Sequence, residues 1–284
     1  MKDLSEKLKE LYTSIPWPDD PGSERGKRYF VRTVQSMEAL ADFPWVEELA
    51  GHGKVKVLEI CGGSGFGGIA LGKVLEAKNV DVEILITDLR EDALERARNW
   101  GKASGINVKT MVLDAKEIHK LQDRFDIVLI FGLSTPHFNP WEMVKLLSSI
   151  STVLNPGGVL AIEESDRRFR IFINSGYKWT LGEGDEDKLV LSTHSGYDVL
   201  RGTVKRTYAS LNFAAKPITI DMYIWGIAEL GALIWTFFED VELIPLSREF
   251  RYFIVVRKPR KELIKPSEIE EPGFLKRKDF SGSM

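Results

Sequence analysis

The sequence predicts an α/β protein with a doubly wound, mostly parallel sheet covered by helices on both faces. Three observations predict it. The stretch Val55 to Gly68, VKVLEICGGSGFGG, is a short apolar strand that breaks into glycines and resumes as an apolar helix. From there to Glu163, strand-like and helix-like runs alternate, the pattern of a parallel sheet. Phe125 to Phe131, FDIVLIF, is apolar almost throughout, as a strand buried on both faces must be.

The chain ahead of the glycine stretch, residues 1–54, reads as a helical cap. Asp3 to Tyr12 puts Leu4, Leu8 and Leu11 on one stripe; Ser14 to Gly26 is a Pro- and Gly-rich loop around Trp17. Lys27 to Phe43 resumes helical spacing with Phe30, Val31, Val34 and Met37, and Pro44 opens a third short helix. After the first strand and its helix, Asp81 to Thr87 is a second strand ending at Asp88. Glu91 to Trp100 is a helix with Ala93, Leu94, Ala97 and Trp100 inward, and Asn107 to Leu113 is a third strand ending at Asp114-Ala115. The fourth strand ends at Phe131. Asn139, Pro140 and Glu142 then form a strong helix start, with an apolar face through Met143, Leu146, Leu147, Ile150, Val153 and Leu154. Asn155-Pro156-Gly157-Gly158 turns into a fifth strand, Val159 to Glu163.

Regularity then fades. Residues 167–223 read as an insertion, in which Leu189 to Thr193, Gly202 to Leu211 and Ile218 to Tyr223 alternate like antiparallel strands. Trp225 to Phe238 is an apolar helix, and Val241 to Leu246 with Tyr252 to Val256 is a closing hairpin around Ser247 to Arg251. Residues 258–284, with mixed charge and little to bury, are expected to form an extended arm or to stay disordered, with Phe274 and Leu275 as a candidate docking segment.

Composition narrows the function. The 284 residues carry a net charge of −3, 43% hydrophobic and 10% aromatic residues, enough for a core and poor for a body that grips nucleic acid through phosphates. The single cysteine, Cys61, excludes a disulfide framework, and the four histidines form no ligand pair, so no metal site is expected. No apolar signal region and no run long enough to span a bilayer are visible, so a cytoplasmic protein is expected.

The glycine turn is a nucleotide-cofactor cradle, and two cofactors compete for it. Gly63, Gly65 and Gly68 fit the dinucleotide spacing, with Asp88 placed for a ribose, which favours NAD. Glu59 points the other way. A pyrophosphate would meet an acid one turn away, whereas an ammonium and a sulfonium would be attracted by it.

The stretch resembles motif I of the class I S-adenosylmethionine-dependent methyltransferases, acid-x-Gly-x-Gly-x-Gly, with Glu59, Gly63 and Gly65 matching and Cys61 in place of the first glycine. Leu154 to Gly158 resembles the family's Leu-x-Pro-Gly-Gly turn, which dinucleotide folds do not call for, and Phe125-Asp126-Ile127-Val128 resembles the opening of its fourth strand. The resemblance covers about residues 55–164 and implies a seven-stranded sheet with the last strand antiparallel. The methyltransferase domain would span 55–257, with the insertion as a β-flap over the substrate. It implies S-adenosylmethionine as cofactor and S-adenosylhomocysteine as product, held by Glu59 (methionine ammonium), the Cys61-Gly62-Gly63-Gly65 loop, Asp88 (ribose), Leu89 (adenine face), Asp114 and Ala115 (adenine edge) and Phe131.

The expected reaction is methyl transfer to N or O of a small molecule. The alternatives are an RNA or protein methyltransferase, a nicotinamide-dependent oxidoreductase, or a cofactor-binding protein without turnover. His137, after the fourth strand, and Glu164, at the end of the fifth, are the candidate catalytic groups, with Glu163 and Asp166 beside them. Tyr177, Trp179, Tyr197, Tyr208, Phe213, Tyr223 and Trp225 would line a substrate pocket or form the core of the insertion.

Overall fold

The computed structural model describes residues 2–183, 188–210, 216–246, 250–261 and 264–276. Phe213, Leu211, the 247–249 part of the closing turn and the last residues of the arm lie outside these.

The chain begins with three helices, α1 (Lys2–Ser14), α2 (Glu24–Ala41) and α3 (Pro44–Ala50). Then come β1 (Lys54–Ile60), α4 (Phe66–Ala77), β2 (Asp81–Asp88), α5 (Glu91–Ser104), β3 (Val108–Val112), β4 (Phe125–Ile130), α6 (Pro140–Val153) and β5 (Leu154–Ser165). The insertion carries β6 (Thr180–Gly182), β7 (Val190–Asp198), β8 (Thr203–Ser210) and β9 (Ile218–Tyr223). The chain then completes the main sheet with α7 (Ile227–Phe237), β10 (Phe238–Pro245) and β11 (Arg251–Pro259).

The main sheet has seven strands in the order β10-β11-β5-β4-β1-β2-β3. Every neighbouring pair from β5 to β3 is parallel, and β11 runs antiparallel to both β5 and β10. This is the predicted doubly wound architecture. β4 shows why it is continuous in apolar residues: Ile127 and Leu129 enter the core shared with α2 to α5, while Val128 and Ile130 enter the one shared with α6 and α7. Fully burying such side chains contributes about 1.5–3 kcal/mol each, so the central strands anchor both layers.

Local chemistry sets the element ends. Asn139 accepts from the backbone N–H of Trp141 and Glu142, and Glu142 returns a carboxylate to Asn139 N, closing a capping box at α6. α5 runs four residues past Trp100 and stops where Gly105 adopts φ +76. β5 begins at Leu154 rather than Val159, because Phe125 pairs with Leu154 before the register slips and Ile127 takes Val159. The Asn-Pro-Gly-Gly turn is therefore an irregularity inside the strand.

Two expectations need correction. The insertion is a four-stranded antiparallel sheet, β6-β7-β8-β9, and β6 was missed because its three residues are exposed and show no alternation. The described part of the arm, 264–276, is docked, through the candidate segment at Phe274 and Leu275 among other contacts, rather than extended. Ser148 Oγ on α6 donates to Ile264 O, Phe274 lies 5.5 Å from the Trp141 ring, Glu271 pairs with Arg201 at 3.0 Å, and Leu275 is buried.

A small satellite core ties α1 to the insertion: Leu11 packs with Val190, Tyr208, Ile218 and Ile220. The helical stripe seen in the sequence thus faces the flap rather than the main sheet. It carries α1 across the carboxyl edge of the parallel strands, where open α/β sheets bind ligands.

Candidate active site

The site starts from the turn after β1. Cys61 adopts φ +54, Gly63 +52 and Gly65 +78, so Cys61 follows a left-handed path that a glycine would take freely. Side chains would not fit at the next positions: a Cβ on Gly67 would lie 2.5 Å from Glu59 Oε1 and 2.7 Å from Phe131 Cβ. Glu59 is 1% exposed, and its Oε2 accepts from Gly68 N at 2.9 Å, at the positive end of α4. Burial pushes its carboxyl up to about 8, against the pull of the Gly68 and Gly67 N–H groups. A buried acid compensated only by backbone dipoles is a receptor for a cation.

Asp88, at the end of β2, accepts from Gly63 N and Arg90 N, each at 2.9 Å, one through each oxygen. Each carboxylate oxygen keeps a further lone pair for a ligand. Leu89 is half-buried, and its carbonyl accepts from Ser5 Oγ of α1 at 2.8 Å. Asp114 caps the turn after β3 by accepting from Lys116 N at 2.9 Å, with Ala115 buried behind it and Lys116 Nζ bridging to Glu142 at 2.9 Å.

A clamp invisible in the sequence fastens the N-terminal loop to this edge. Asp19 binds Arg90 through both oxygens, at 2.9 and 3.2 Å, and also takes Arg96; its backbone carbonyl accepts from Ser64 Oγ at 2.6 Å. The Arg90 side chain is 4% exposed. Asp19 sits in a Pro-rich loop 71 residues from Arg90, and no periodicity or motif marks such a pair.

These groups surround one cavity of ≈ 500 Å³. Its floor holds Glu59, Cys61, Gly62, Gly63, Asp88, Leu89, Asp114, Ala115 and Phe131. Its roof holds Leu4, Leu8 and Tyr12 from α1, His137 from the 3₁₀ turn after β4, and Thr203, Lys205 and Asp221 from the flap. Thr203 Oγ1 is itself buried, with no hydrogen-bond partner among the described residues. His137 Nε2 lies 3.0 Å from Tyr12 Oη. Gly65 is not among the lining residues; it starts α4 against Ile86, Ile69 and Ala97.

Glu164 does not reach this cavity. It is fully buried on the other side of β5's edge, accepting from Ser165 N at 2.7 Å and Arg167 Nε at 3.0 Å. Glu163 points the opposite way, pairing with Arg251 at 2.8 Å and accepting from Gly132 N at 2.9 Å, so it holds the turn after β4. Asp166 accepts from Phe169 N at 2.9 Å. The strand pleat separates Glu163 from Glu164, and a neighbouring arginine pairs with each, Arg251 with Glu163 and Arg167 with Glu164. The aromatic set is dispersed as well. None of its described members lines the cavity; Trp225 is 1% exposed in the main core, Tyr208 belongs to the flap core, and Trp179 is 66% exposed.

The methyltransferase-domain family matches residues 57–158, which run from β1 through the Pro-Gly-Gly turn. Residues 57–158 are thus a methyltransferase domain of the S-adenosylmethionine-dependent kind. The cofactor of that family is S-adenosylmethionine. The ubiquinone/menaquinone biosynthesis C-methyltransferase UbiE of Bordetella parapertussis is 33% identical over 114 residues, 40% of this chain and 42% of that protein. The match therefore spans less than half of the curated relative. An S-adenosylmethionine-dependent methyltransferase of Clostridium acetobutylicum has the same fold, with a TM-score of 0.58 and 12% identity over 82% of this chain and 98% of that one. The sugar N-methyltransferase KedS8 of a Streptoalloteichus species has a TM-score of 0.52 and 14% identity, covering 81% of this chain and 88% of that one. Among the described residues, no helix of this chain is long and apolar enough to cross a membrane, and no cluster of three metal-ligating side chains forms.

Proposed function

We propose that the chain transfers a methyl group from S-adenosylmethionine to a nitrogen or oxygen atom of a small molecule held between the strand ends and the flap. The observation that carries this reading is the cavity itself, which runs from Glu59, Asp88 and Asp114 to Thr203 and Lys205 under the cover of α1. Asp88 would take the ribose hydroxyls, Leu89 the adenine face, Asp114 with Ala115 the adenine edge, and Glu59 the methionine ammonium. The Cys61 to Gly65 loop and Phe131 would flank the amino-acid end. The residues present fit the group, because Glu59 is a buried carboxyl without a cationic partner among the described residues. When bound, the cofactor supplies an electrophilic methyl on a sulfonium. The protein's own part is to align the acceptor and exclude water, the main requirements when the acceptor is already a good nucleophile. The roofed volume suits a metabolite rather than a polymer. Two of the three named proteins, the quinone-pathway C-methyltransferase and the sugar N-methyltransferase, are consistent with a small acceptor.

Two measurements test this. Labelled-methyl S-adenosylmethionine incubated with the protein and a cell extract should place label in the low-mass fraction. Label in RNA or protein contradicts the reading, and no transfer at all favours a binding protein without turnover. The second concerns Glu59. Its folded value of about 8 lies above the ordinary 4.5, so the free protein is most stable with Glu59 protonated and loses that stability as pH rises toward 8. An ammonium placed on Glu59 reverses the preference. Binding S-adenosylhomocysteine at about pH 6.5 should therefore release up to one proton, seen as a dependence of the calorimetric heat on buffer ionisation enthalpy, and the release should vanish well above pH 8. No proton release at about pH 6.5 would show that the ammonium does not meet Glu59.

A further inference from the structure

Tyr12 and His137 are 125 residues apart in sequence and meet in the cavity wall, Oη to Nε2 at 3.0 Å. Neither ring is free to reorient. α1 is fixed by Ser5 donating to Leu89 O, by Leu11 in the flap core, and by the Arg90 guanidinium lying 4.6 Å from the Tyr12 ring centre. His137 ends the turn Thr135–His137, which is held from outside by Trp225 Nε1 donating to Thr135 O at 3.2 Å and Phe138 O at 3.0 Å.

The titratable groups facing the pair are Arg167 and Arg90 toward His137, and Arg90, Asp88, Cys61 and Asp19 toward Tyr12. Burial first, then the two guanidiniums, hold His137 down at about 4, so the imidazole is neutral near pH 7. Burial raises the Tyr12 phenol, which keeps its proton. Between a neutral phenol and a neutral imidazole, the phenol O–H is the better donor and the ring nitrogen the better acceptor. The Tyr12 oxygen then has no proton left to give and offers only lone pairs to the cavity.

We propose that Tyr12, its proton committed to His137, is the hydrogen-bond acceptor that orients the methyl acceptor, which must therefore carry an N–H or O–H at the reacting atom. The proposal rests on the methyl-transfer reading above. An N–H or O–H donated to Tyr12 Oη fixes the direction of the remaining lone pair on that atom, which is the alignment the reaction needs. That lone pair forms the bond to the methyl carbon, and the sulfur would keep the S–CH3 electron pair. An amine product carries its proton away as an ammonium and loses it to water, and a hydroxyl passes its proton to Tyr12 Oη as Tyr12 hands its own to His137 Nε2. His137 acts through Tyr12 and is a positioning residue. A carbon acid gains nothing from this pair, so the site differs in this respect from one that methylates carbon.

The test is nitrogen-15 NMR of histidine-labelled protein saturated with S-adenosylhomocysteine, with His137→Gln identifying the His137 signals among the four histidines. His137 should titrate near pH 4 and carry its proton on Nδ1 above that. In Tyr12→Phe the neutral ring loses its donor, so the midpoint should rise by about half to one pH unit. Affinity for S-adenosylhomocysteine should stay within about threefold. A proton on Nε2, or an unchanged midpoint in Tyr12→Phe, overturns the pairing while binding persists; absence of binding in the unaltered protein overturns the methyltransferase site itself. With carbon-13-methyl S-adenosylmethionine and a low-mass extract, the product methyl should resonate as N–CH3 or O–CH3, and a C–CH3 signal contradicts the proposal.

Discussion

Replacing Asp88 by alanine should weaken S-adenosylhomocysteine binding by roughly ten- to a hundredfold. Asp88 is 12% exposed, and each of its oxygens already accepts one backbone N–H, which turns the remaining lone pairs toward the cavity. A diol bonded to such a carboxylate contributes about 1.5–3 kcal/mol, as hydrogen bonds to charged groups do. The same substitution frees Gly63 N, which Asp88 holds at 2.9 Å in a turn with φ +52. Asp88→Asn separates the two effects, because its amide oxygen still accepts from Gly63 while the charge is gone. Calorimetry on both variants reads the difference. A loss of less than about threefold in Asp88→Ala would make Asp88 a brace for the loop and nothing more.

Asp19→Ala should cost more stability than any other substitution outside the core. It leaves Arg90, whose side chain is 4% exposed, with Asp88 at 3.8 Å as its remaining carboxylate, and it removes a partner from Arg96. Breaking a buried pair by deleting one partner costs about 3–5 kcal/mol; Asp19 is 21% exposed, so the lower end applies. A domain of this size should lose roughly 10 °C in Tm. Because Asp19 also ties the Trp17 loop to Ser64 and steadies the arginine under Tyr12, cofactor affinity should fall with it. Asp19→Asn keeps one acceptor and should lie between. A Tm within about 2 °C of the unaltered protein would show that the clamp is a surface contact.

The contrast between these two residues shows what the sequence could reveal. Asp88 was legible because it ends an apolar strand at a fixed distance from a glycine turn, and both features are local. The same holds for Glu59, for the continuous apolar β4 and for the capped start of α6. Asp19, Arg90 and Tyr12 were not legible. Each looks like an ordinary loop or helix residue, and each acquires its role only when the N-terminal segment crosses the sheet edge. Glu164 failed for the opposite reason. A run of acids at a strand end looked like a site, but the pleat sends alternate side chains to opposite faces, and Arg167 and Arg251 neutralise them there. β6 was lost because three exposed residues carry no period.

The central claim is that Glu59 and the glycine turn hold a cationic amino-acid cofactor rather than a pyrophosphate. Side-by-side calorimetric titration with S-adenosylhomocysteine and NAD decides it most directly. The account predicts micromolar binding of S-adenosylhomocysteine, about −8 kcal/mol, and no measurable binding of NAD, because Glu59, neutral in the free protein, is ionised favourably by an ammonium and offers a pyrophosphate no countercharge. Tighter binding of NAD than of S-adenosylhomocysteine would contradict it.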